Sequence, residues 1–308
     1  MNVSRFTLVS LGLSALLVVA SSLILARYGL RIGIDFAGGQ LLELHFNEST
    51  DLTKLSSVLT VGEQEQQLAH TTASETASNT FLLRTATSDQ TAVDQIKAYL
   101  TSQLGPADQV RFERVGPTIG RDLTRKAILG VVLASLGIIL YIAWAFRRVP
   151  QPARSWRFGI TAIIALIHDL LITVAVFAVL GVTSGYEVDS LFITALLTVM
   201  GFSVHDTIVT YDRIRENLIS RPDRPFDETV SASIQQTIVR SLNTSLTLIL
   251  VLLAVLVLGG STIRPFIAAL TIGVTVGTYS SIFVASQLLV IWQQFAERRN
   301  LATVNQRS

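Results

Sequence analysis

Phe192-Ile-Thr-Ala-Leu-Leu-Thr-Val-Met-Gly-Phe-Ser-Val-His-Asp-Thr-Ile-Val-Thr-Tyr-Asp-Arg-Ile-Arg-Glu-Asn217 decides the fold. Its first half is apolar enough for lipid, its second half turns charged, and no proline interrupts the change. His205 and Asp206 sit inside the apolar part. Ionisable side chains at membrane depth are rare, and where they occur they face a bundle interior or a water-filled cavity. Arg213 and Arg215 then mark a membrane face. The stretch predicts one helix of a membrane bundle, with Asp206 handling protons among the other spans.

Composition agrees with that reading. Half of the 308 residues are hydrophobic and only 15% are charged, against roughly 25% charged in soluble domains. Mean hydropathy is +0.52. Several further stretches reach the ~20 apolar residues that a helical span needs, and a soluble fold would have to bury all of them in one core. The pI near 9.1 does not indicate nucleic-acid binding, because the arginines cluster beside spans and no basic face with interleaved aromatics appears. The chain has no cysteine, which excludes disulfides, thiolate metal sites and cysteine nucleophiles.

Working outward from the central stretch, residues 1–27 predict a first transmembrane helix. Its apolar run exceeds a signal-peptide core and is followed by Arg27 and Arg31, which favours a retained anchor. Residues 28–126 predict a small extracytoplasmic α+β domain. Gly33-Ile-Asp-Phe-Ala-Gly-Gly39 reads as a turn feeding a strand over 41–46, and Asp51 caps a helix over 51–61. A weak strand over 67–72, a polar connection over 74–79 and a clearer strand over 80–85 follow. A helix over 89–104 then places Val93, Ile96, Leu100 and Leu104 on one side, ahead of a strand over 110–115. The order β-α-β-β-α-β is the ferredoxin-like split motif.

Residues 127–297 predict five more spans, near 127–146, 158–180, 190–212, 241–259 and 266–292, with residues 298–308 as a cytoplasmic tail. Between the fourth and fifth, residues 226–239 place Phe226, Val230, Ile234 and Ile238 four apart. That stripe suits an interfacial helix on the bilayer, or equally one docked under the bundle. Gly130, Ala134 and Gly137, and Gly273 with Gly277, are small residues where helices can approach closely, although glycine is common in membrane helices anyway. Arg147, Arg148, Arg154 and Arg157 follow the second span, Arg213, Arg215, Arg221 and Arg224 the fourth, and Arg298, Arg299 and Arg307 the sixth. The opposite short loops hold only Arg264, so the positive-inside rule places both termini in the cytoplasm.

The polar groups in the spans are His168-Asp169, His205-Asp206, Arg240 and Asn243. Counting helical rise from the flanking arginines puts His168 roughly 16 Å and Asp206 roughly 10 Å from the cytoplasmic edge. One shared cluster is therefore open to them. A carboxyl in low dielectric favours its neutral form, whereas a neighbouring guanidinium favours the charged one. A movement that changes the Asp206–Arg240 separation would therefore couple proton uptake to conformation, and Thr207, Thr244 and Ser245 would hold water or bond across helices. Blander readings stand beside this. Asp206 with Arg240 can be a static pair, Asp169 can face a vestibule or bond Thr173, and both histidines can be core residues. Adjacent residues on a helix face different ways, so neither His-Asp dipeptide is expected to form a tight pair. Glu187 and Asp189 read as ordinary acidic loop residues at the outer edge.

Enzyme chemistry finds no footing. No phosphate-binding glycine loop precedes a lysine, and no third clear ligand joins the two His-Asp pairs to hold a metal. An aspartyl dyad of Asp169 and Asp206 would need nearly touching carboxyls, which Arg240 would spoil. No cofactor is implied.

Four segments carry a resemblance to a known family: Gly33-Ile-Asp-Phe-Ala-Gly-Gly39, Val115-Gly-Pro-Thr-Ile-Gly120, the run from Val204 to Asn217, and Arg240-Ser-Leu-Asn-Thr-Ser245. His168-Asp169 and Gly277-Thr-Tyr-Ser-Ser281 add to them. Together they span nearly the whole chain and resemble the SecD/SecF family of bacterial protein-export membrane proteins, on its smaller, SecF side. The resemblance implies the six-span half of a resistance-nodulation-division (RND) bundle in the bacterial inner membrane. It also implies a SecD partner beside the SecYEG channel, YajC and YidC as accessory partners, and exported unfolded polypeptide as substrate. By matching position, Asp206 falls on the family's proton-relay aspartate, Arg240 on its fifth-span arginine, and Asn243 and Thr244 in the same polar patch. The family usually has asparagine before that aspartate. Here it is His205, which leaves the aspartate assignment intact and the local proton affinity open. Protons are the implied coupling ion, with sodium as the alternative. Two other functions stay open, a proton-driven exporter of small molecules or lipids and a non-conducting accessory of the channel.

Overall fold

In a computed structural model, residues 5–65, 68–87, 89–147 and 154–305 are described. Six helices are long and apolar enough to cross a membrane. They are α1 (Arg5–Tyr28), α5 (Pro117–Ala145), α6 (Ser155–Ser184), α7 (Ser190–Ser220), α8 (Phe226–Leu258), and a composite last span. This last span joins α9 (Arg264–Ser280), a π-helical turn (Ser281–Ala285) and α10 (Ser286–Asn305). Between α1 and α5 lie α2 (Ile34–Ala37), β1 (Gly39–Phe46), α3 (Leu52–Glu65), β2 (Thr71–Ala77), β3 (Thr80–Thr85), α4 (Gln90–Leu104) and β4 (Ala107–Val115). The chain divides into two compact units. One is the α+β unit, Leu30–Gly130 with Ser184–Ile193, and the other holds the remaining helical residues.

In the α+β unit the sheet order is β2-β3-β1-β4 with every pairing antiparallel. This is the arrangement that the split β-α-β-β-α-β reading expects. Alternate residues of the central strand, Leu42, Leu44 and Phe46, meet Leu55 and Leu59 of α3 and Val93, Ile96, Leu100 and Leu104 of α4 in one core. The helices start where their caps lie. The Asp51 carboxylate accepts from Lys54 N at 2.6 Å, and that of Asp89 accepts from Thr91 N at 3.1 Å. Gly39 has φ +125, and a Cβ there would lie 2.5 Å from Thr85 O, so the entry to β1 requires glycine.

Several boundaries differ from the sequence reading. The second strand is Thr71–Ala77, so most of the expected polar connection is strand and the turn shrinks to Ser78 and Asn79, with Asn79 at φ 57. Threonine and alanine alternating with polar residues suit an edge strand that covers little core. Residue 67 of the expected strand lies outside the described residues. The second span begins at Pro117, about ten residues before its apolar run, because proline suits the first helical turn and an Asp122–Lys126 pair at 2.8 Å continues it. The expected interfacial helix and the fifth span are one helix, α8, with no breaker between Val239 and Leu242. Its first half packs against the bundle, the second of the two expected arrangements. Phe226 and Val230 are buried and, with Ile234, pack into the helical core. Helix α10 runs to Asn305, through most of the expected tail.

Within the helical unit, α6, α7 and the last span are the inner ones, 50%, 50% and 61% buried along their most apolar stretches, against 17% or less for α1, α5 and α8. The core centres on an aromatic group in which Phe158 stacks on Phe146 at 5.5 Å and meets Tyr211 edge-on at 5.0 Å. Gly273 and Gly277 make specific contacts: a Cβ at Gly273 would crowd Val199, and one at Gly277 would lie 3.0 Å from Ser203 Cβ. They set the close approach of α9 to α7. Gly130 and Gly137 have nothing within 4 Å of such a Cβ.

Candidate functional site

Of the polar groups of the spans, His168, Asp169 and Asp206 lie where α6, α7, α8 and the last span face one another. Asp169 is fully buried. Its Oδ2 accepts from Ser203 Oγ of α7 at 2.5 Å and from Ser280 Oγ at 2.6 Å, and its Oδ1 lies 2.9 Å from His168 Nδ1. The His168–Asp169 dipeptide is thus a tight pair, against the expectation for adjacent helical residues. Helix α6 buries more than one stripe, so both side chains find room in the interior. Thr173 Oγ1 donates to the Asp169 main-chain oxygen at 2.7 Å, not to its carboxylate. His168 stacks against Tyr279, and its Nε2 is buried with no hydrogen-bond partner among the described residues.

Asp206 lies one helical turn beyond Ser203 on α7 and is also buried, at 2% exposure. Its surroundings are looser. Ser245 Oγ of α8 donates to its Oδ2 at 3.4 Å, and His205 Nδ1 lies 3.8 Å from its Oδ1. Thr278 Oγ1 is 2.7 Å from Ser245 Oγ, while Ser281 Oγ donates to Ser203 O at 3.2 Å and lies 2.9 Å from Thr207 Oγ1. The two carboxyls therefore share a seam of hydroxyls in which serines 280 and 281 sit at the start of the π-helical turn. Such turns insert an extra residue into a helix and recur at functional sites.

Arg240, Asn243 and Thr244 stand apart from this seam. All three are exposed, and Thr244 Oγ1 bonds the Arg240 main-chain oxygen at 3.0 Å. Helices α7 and α8 run antiparallel, tied by Asn217 Nδ2 donating to Ser233 Oγ at 2.7 Å near one end and by Asp206–Ser245 further along. Arg240 lies five residues before Ser245, about 7.5 Å along the helix, and on another face. No ion pair joins it to Asp206 among the described residues. His205 is likewise largely exposed, with 64% of its side chain open. Arg157, which the sequence offers as a membrane-edge marker, is buried and donates to Gln293 of α10.

Sequence reasoning missed Ser203 and Ser280, which hold Asp169, and Tyr211, whose hydroxyl lies 2.6 Å from Thr161 Oγ1 and donates to Ala285 O at 3.1 Å. Serine and threonine are ordinary in membrane helices, so nothing in their spacing alone marks these positions.

Comparison with known proteins follows the same lines. The family model described as "Protein export membrane protein SecD/SecF, C-terminal" matches residues 95–295. The protein translocase subunit SecF of Thermobaculum terrenum is 43% identical over 289 residues, covering 91% of this chain and 90% of that one. The SecF subunit of Synechocystis sp. is 36% identical over 277 residues, covering 88% and 85%. Among solved structures, SecDF from Thermus thermophilus superposes with a TM-score of 0.80 at 32% identity over 95% of this chain. SecDF in its super-membrane-facing form gives 0.68 at 31% identity over 98%. This chain spans 39% and 40% of those two longer chains. By the matched model and by relatives aligned along most of their length, the chain belongs to the SecD/SecF family of protein-export membrane proteins, as a SecF-type subunit.

Proposed function

We propose that the chain works as the SecF-side subunit of a SecD-containing complex beside the SecYEG channel, where it couples proton movement through Asp206 to late steps of protein translocation. The single observation that carries this reading is a contrast between two buried carboxyls. Asp169 is held by three short contacts, whereas Asp206 has one long hydrogen bond, a His205 nitrogen 3.8 Å away and, among the described residues, no arginine or lysine paired with it. A buried carboxyl whose partners are few and distant changes its proton occupancy when any partner moves. Asp169, Ser203 and Ser280 act as the anchored end of the seam, and Asp206 as its exchanging end.

Arg240 is the partner that movement would supply. It does not itself deprotonate, and a shift of α8 by about 7.5 Å relative to α7, with a rotation that turns its outward face in, would bring it to Asp206. His168 and His205 flank the two carboxyls, and His168 Nε2 is buried with no hydrogen-bond partner among the described residues. Polar groups at membrane depth favour a protein neighbour over lipid. The exposed set of His205, Arg240, Asn243 and Thr244 therefore suits coverage by the SecD spans. With both termini cytoplasmic by the positive-inside rule, the α+β unit is extracytoplasmic, where it would meet SecD or the emerging polypeptide. Protons are the proposed coupling ion.

The test is Asp206→Asn in the SecD-containing complex reconstituted with the channel. Assembly with SecD is expected to persist while proton conductance and translocation stimulation fall by at least tenfold. Unchanged conductance and stimulation in that variant would overturn the reading and leave the accessory role.

A further inference from the structure

The α+β unit contains a segment that comes from far along the chain, residues Ser184–Ile193, which include the first turn of α7. Its attachment is dense. Val188 pairs in parallel with Ile32, through Val188 N donating to Arg31 O at 2.7 Å and Gly33 N donating to Val188 O at 2.9 Å. Asp35, from the glycine-flanked turn before β1, then caps α7 from outside. Its Oδ2 accepts from Ser190 N at 2.9 Å and from Ser190 Oγ at 2.5 Å. Asp189 caps the same turn locally, accepting from Phe192 N at 2.7 Å. The first N–H groups of a helix have no partner within it, so a cap supplied by another segment fixes where that helix begins.

A second fastening lies beside the first. Arg84 of β3 pairs with Glu187 at 2.6 Å, and both side chains are less than one-fifth exposed. Arg84 is buried enough to be pulled below the usual guanidinium range, opposed by Glu187. Burial likewise pushes the carboxyls of Glu187 and Asp189 up, with Arg84 and Arg31 opposing the shift at Glu187. The charged groups that face one another here are Arg31, Asp35, Arg84, Glu187 and Asp189. A hinge between the sheet and the start of α7 would leave these groups open to water.

We propose that Asp35, Arg84 and Glu187 are positioning residues that clasp the extracytoplasmic end of α7 within the α+β unit and so fix where the helix bearing Asp206 begins. Helix α7 is unbroken from Ser190 to Ser220, so the clasp acts on the same helix that carries Asp206. The inference rests on the proton-coupling reading of Asp206. Removing one partner of a buried ion pair strands the other, and on that ground Arg84→Glu is expected to shift the clasped fraction by on the order of 100-fold.

The experiment uses the full SecD-containing complex with the channel in proteoliposomes, reading translocation stimulation and proton conductance in parallel. Arg84→Glu and Asp35→Ala are expected to lower stimulation about tenfold while conductance stays within about twofold of wild type (a tenfold change being 1.4 kcal/mol). The reversed pair Arg84→Glu/Glu187→Arg is expected to restore at least half of it. Stimulation and conductance falling together, or no recovery in the reversed pair, would overturn the clasp. Because the chain has no cysteine, spin labels at Ser56→Cys and Leu191→Cys report the clasp directly, and their single narrow distance distribution is expected to broaden in Asp35→Ala. An unchanged distribution refutes the clasp whatever Asp206→Asn does. A broadened one beside a silent Asp206→Asn refutes the coupling reading and, with it, the functional role given to the clasp.

Discussion

Gly273→Ala adds one methyl group, and the structure states where it lands. The new Cβ would lie 2.6 Å from Val199 Cγ1 and 2.9 Å from Val199 Cβ. Rotating the valine moves its γ carbons but not its Cβ, so no rotamer clears the contact. Val199 is 1% exposed and has no space to retreat into. Carbon atoms pack at about 3.5–4.0 Å, so α7 and α9 must separate by roughly 0.6–1.1 Å. The Ser281 Oγ to Ser203 O hydrogen bond, 3.2 Å long, then stretches past hydrogen-bond range. Overpacking costs about 1–3 kcal/mol, and the lost hydrogen bond adds about 1 kcal/mol. For a chain of this size that corresponds to a fall of roughly 4–15 °C in Tm. Thermal unfolding in detergent, followed by size exclusion at a fixed heating rate, measures it. Gly137→Ala, where nothing lies within 4 Å, is the control and is expected to be neutral or to gain up to about 1 kcal/mol. Val199→Ala/Gly273→Ala should recover part of the loss. Equal Tm values for Gly273→Ala and Gly137→Ala would refute the close α7–α9 contact.

Ser280→Ala removes one of three contacts to Asp169 and is expected to lower stability by about 1–3 kcal/mol. In an Asp169→Asn background its effect should shrink, a coupling that a double-mutant cycle reads. Tyr211→Phe leaves the Ala285 oxygen and Thr161 hydroxyl short of a partner in a site with no exposure, so a loss of about 1–2 kcal/mol is expected in the same assay. The Asp89 carboxyl is held below the usual aspartate range by hydrogen bonds from the side chain and backbone of Thr91. Its contribution is present above that range and disappears as pH falls through its lowered value. Asp89→Asn keeps a cap but not the titration, so α4 amide protection from hydrogen exchange should lose its acid-side dependence below about pH 4.

Much of the membrane reading was legible because lipid leaves so few solutions: long apolar runs must become helices, and flanking arginines report the side on which they end. The α+β order was legible for a similar reason, since Leu42, Leu44 and Phe46 alternate while Val93, Ile96, Leu100 and Leu104 repeat at helical spacing. The edge strand β2 was misplaced because its threonines and alanines bury little and leave no strong period. The join of residues 226–239 to the fifth span was missed because a polar, arginine-bearing segment resembles a boundary until tertiary packing shows which side is inside.

The seam itself divides in the same way. An aspartate in an apolar run announces itself, so Asp169 and Asp206 were found from sequence by the energetic penalty of their surroundings alone. Their partners were not, because Ser203, Ser245 and Ser280 cost little in any membrane helix and acquire meaning only by contact. Sequence also suggested Arg240 as a direct neighbour of Asp206, since depth along a helix can be counted from residue numbers. Which way each helix turns at that depth depends on packing against Val199, Gly273 and Gly277. Only the tertiary structure decided that Asp206 faces inward to Ser245 while Arg240 faces out.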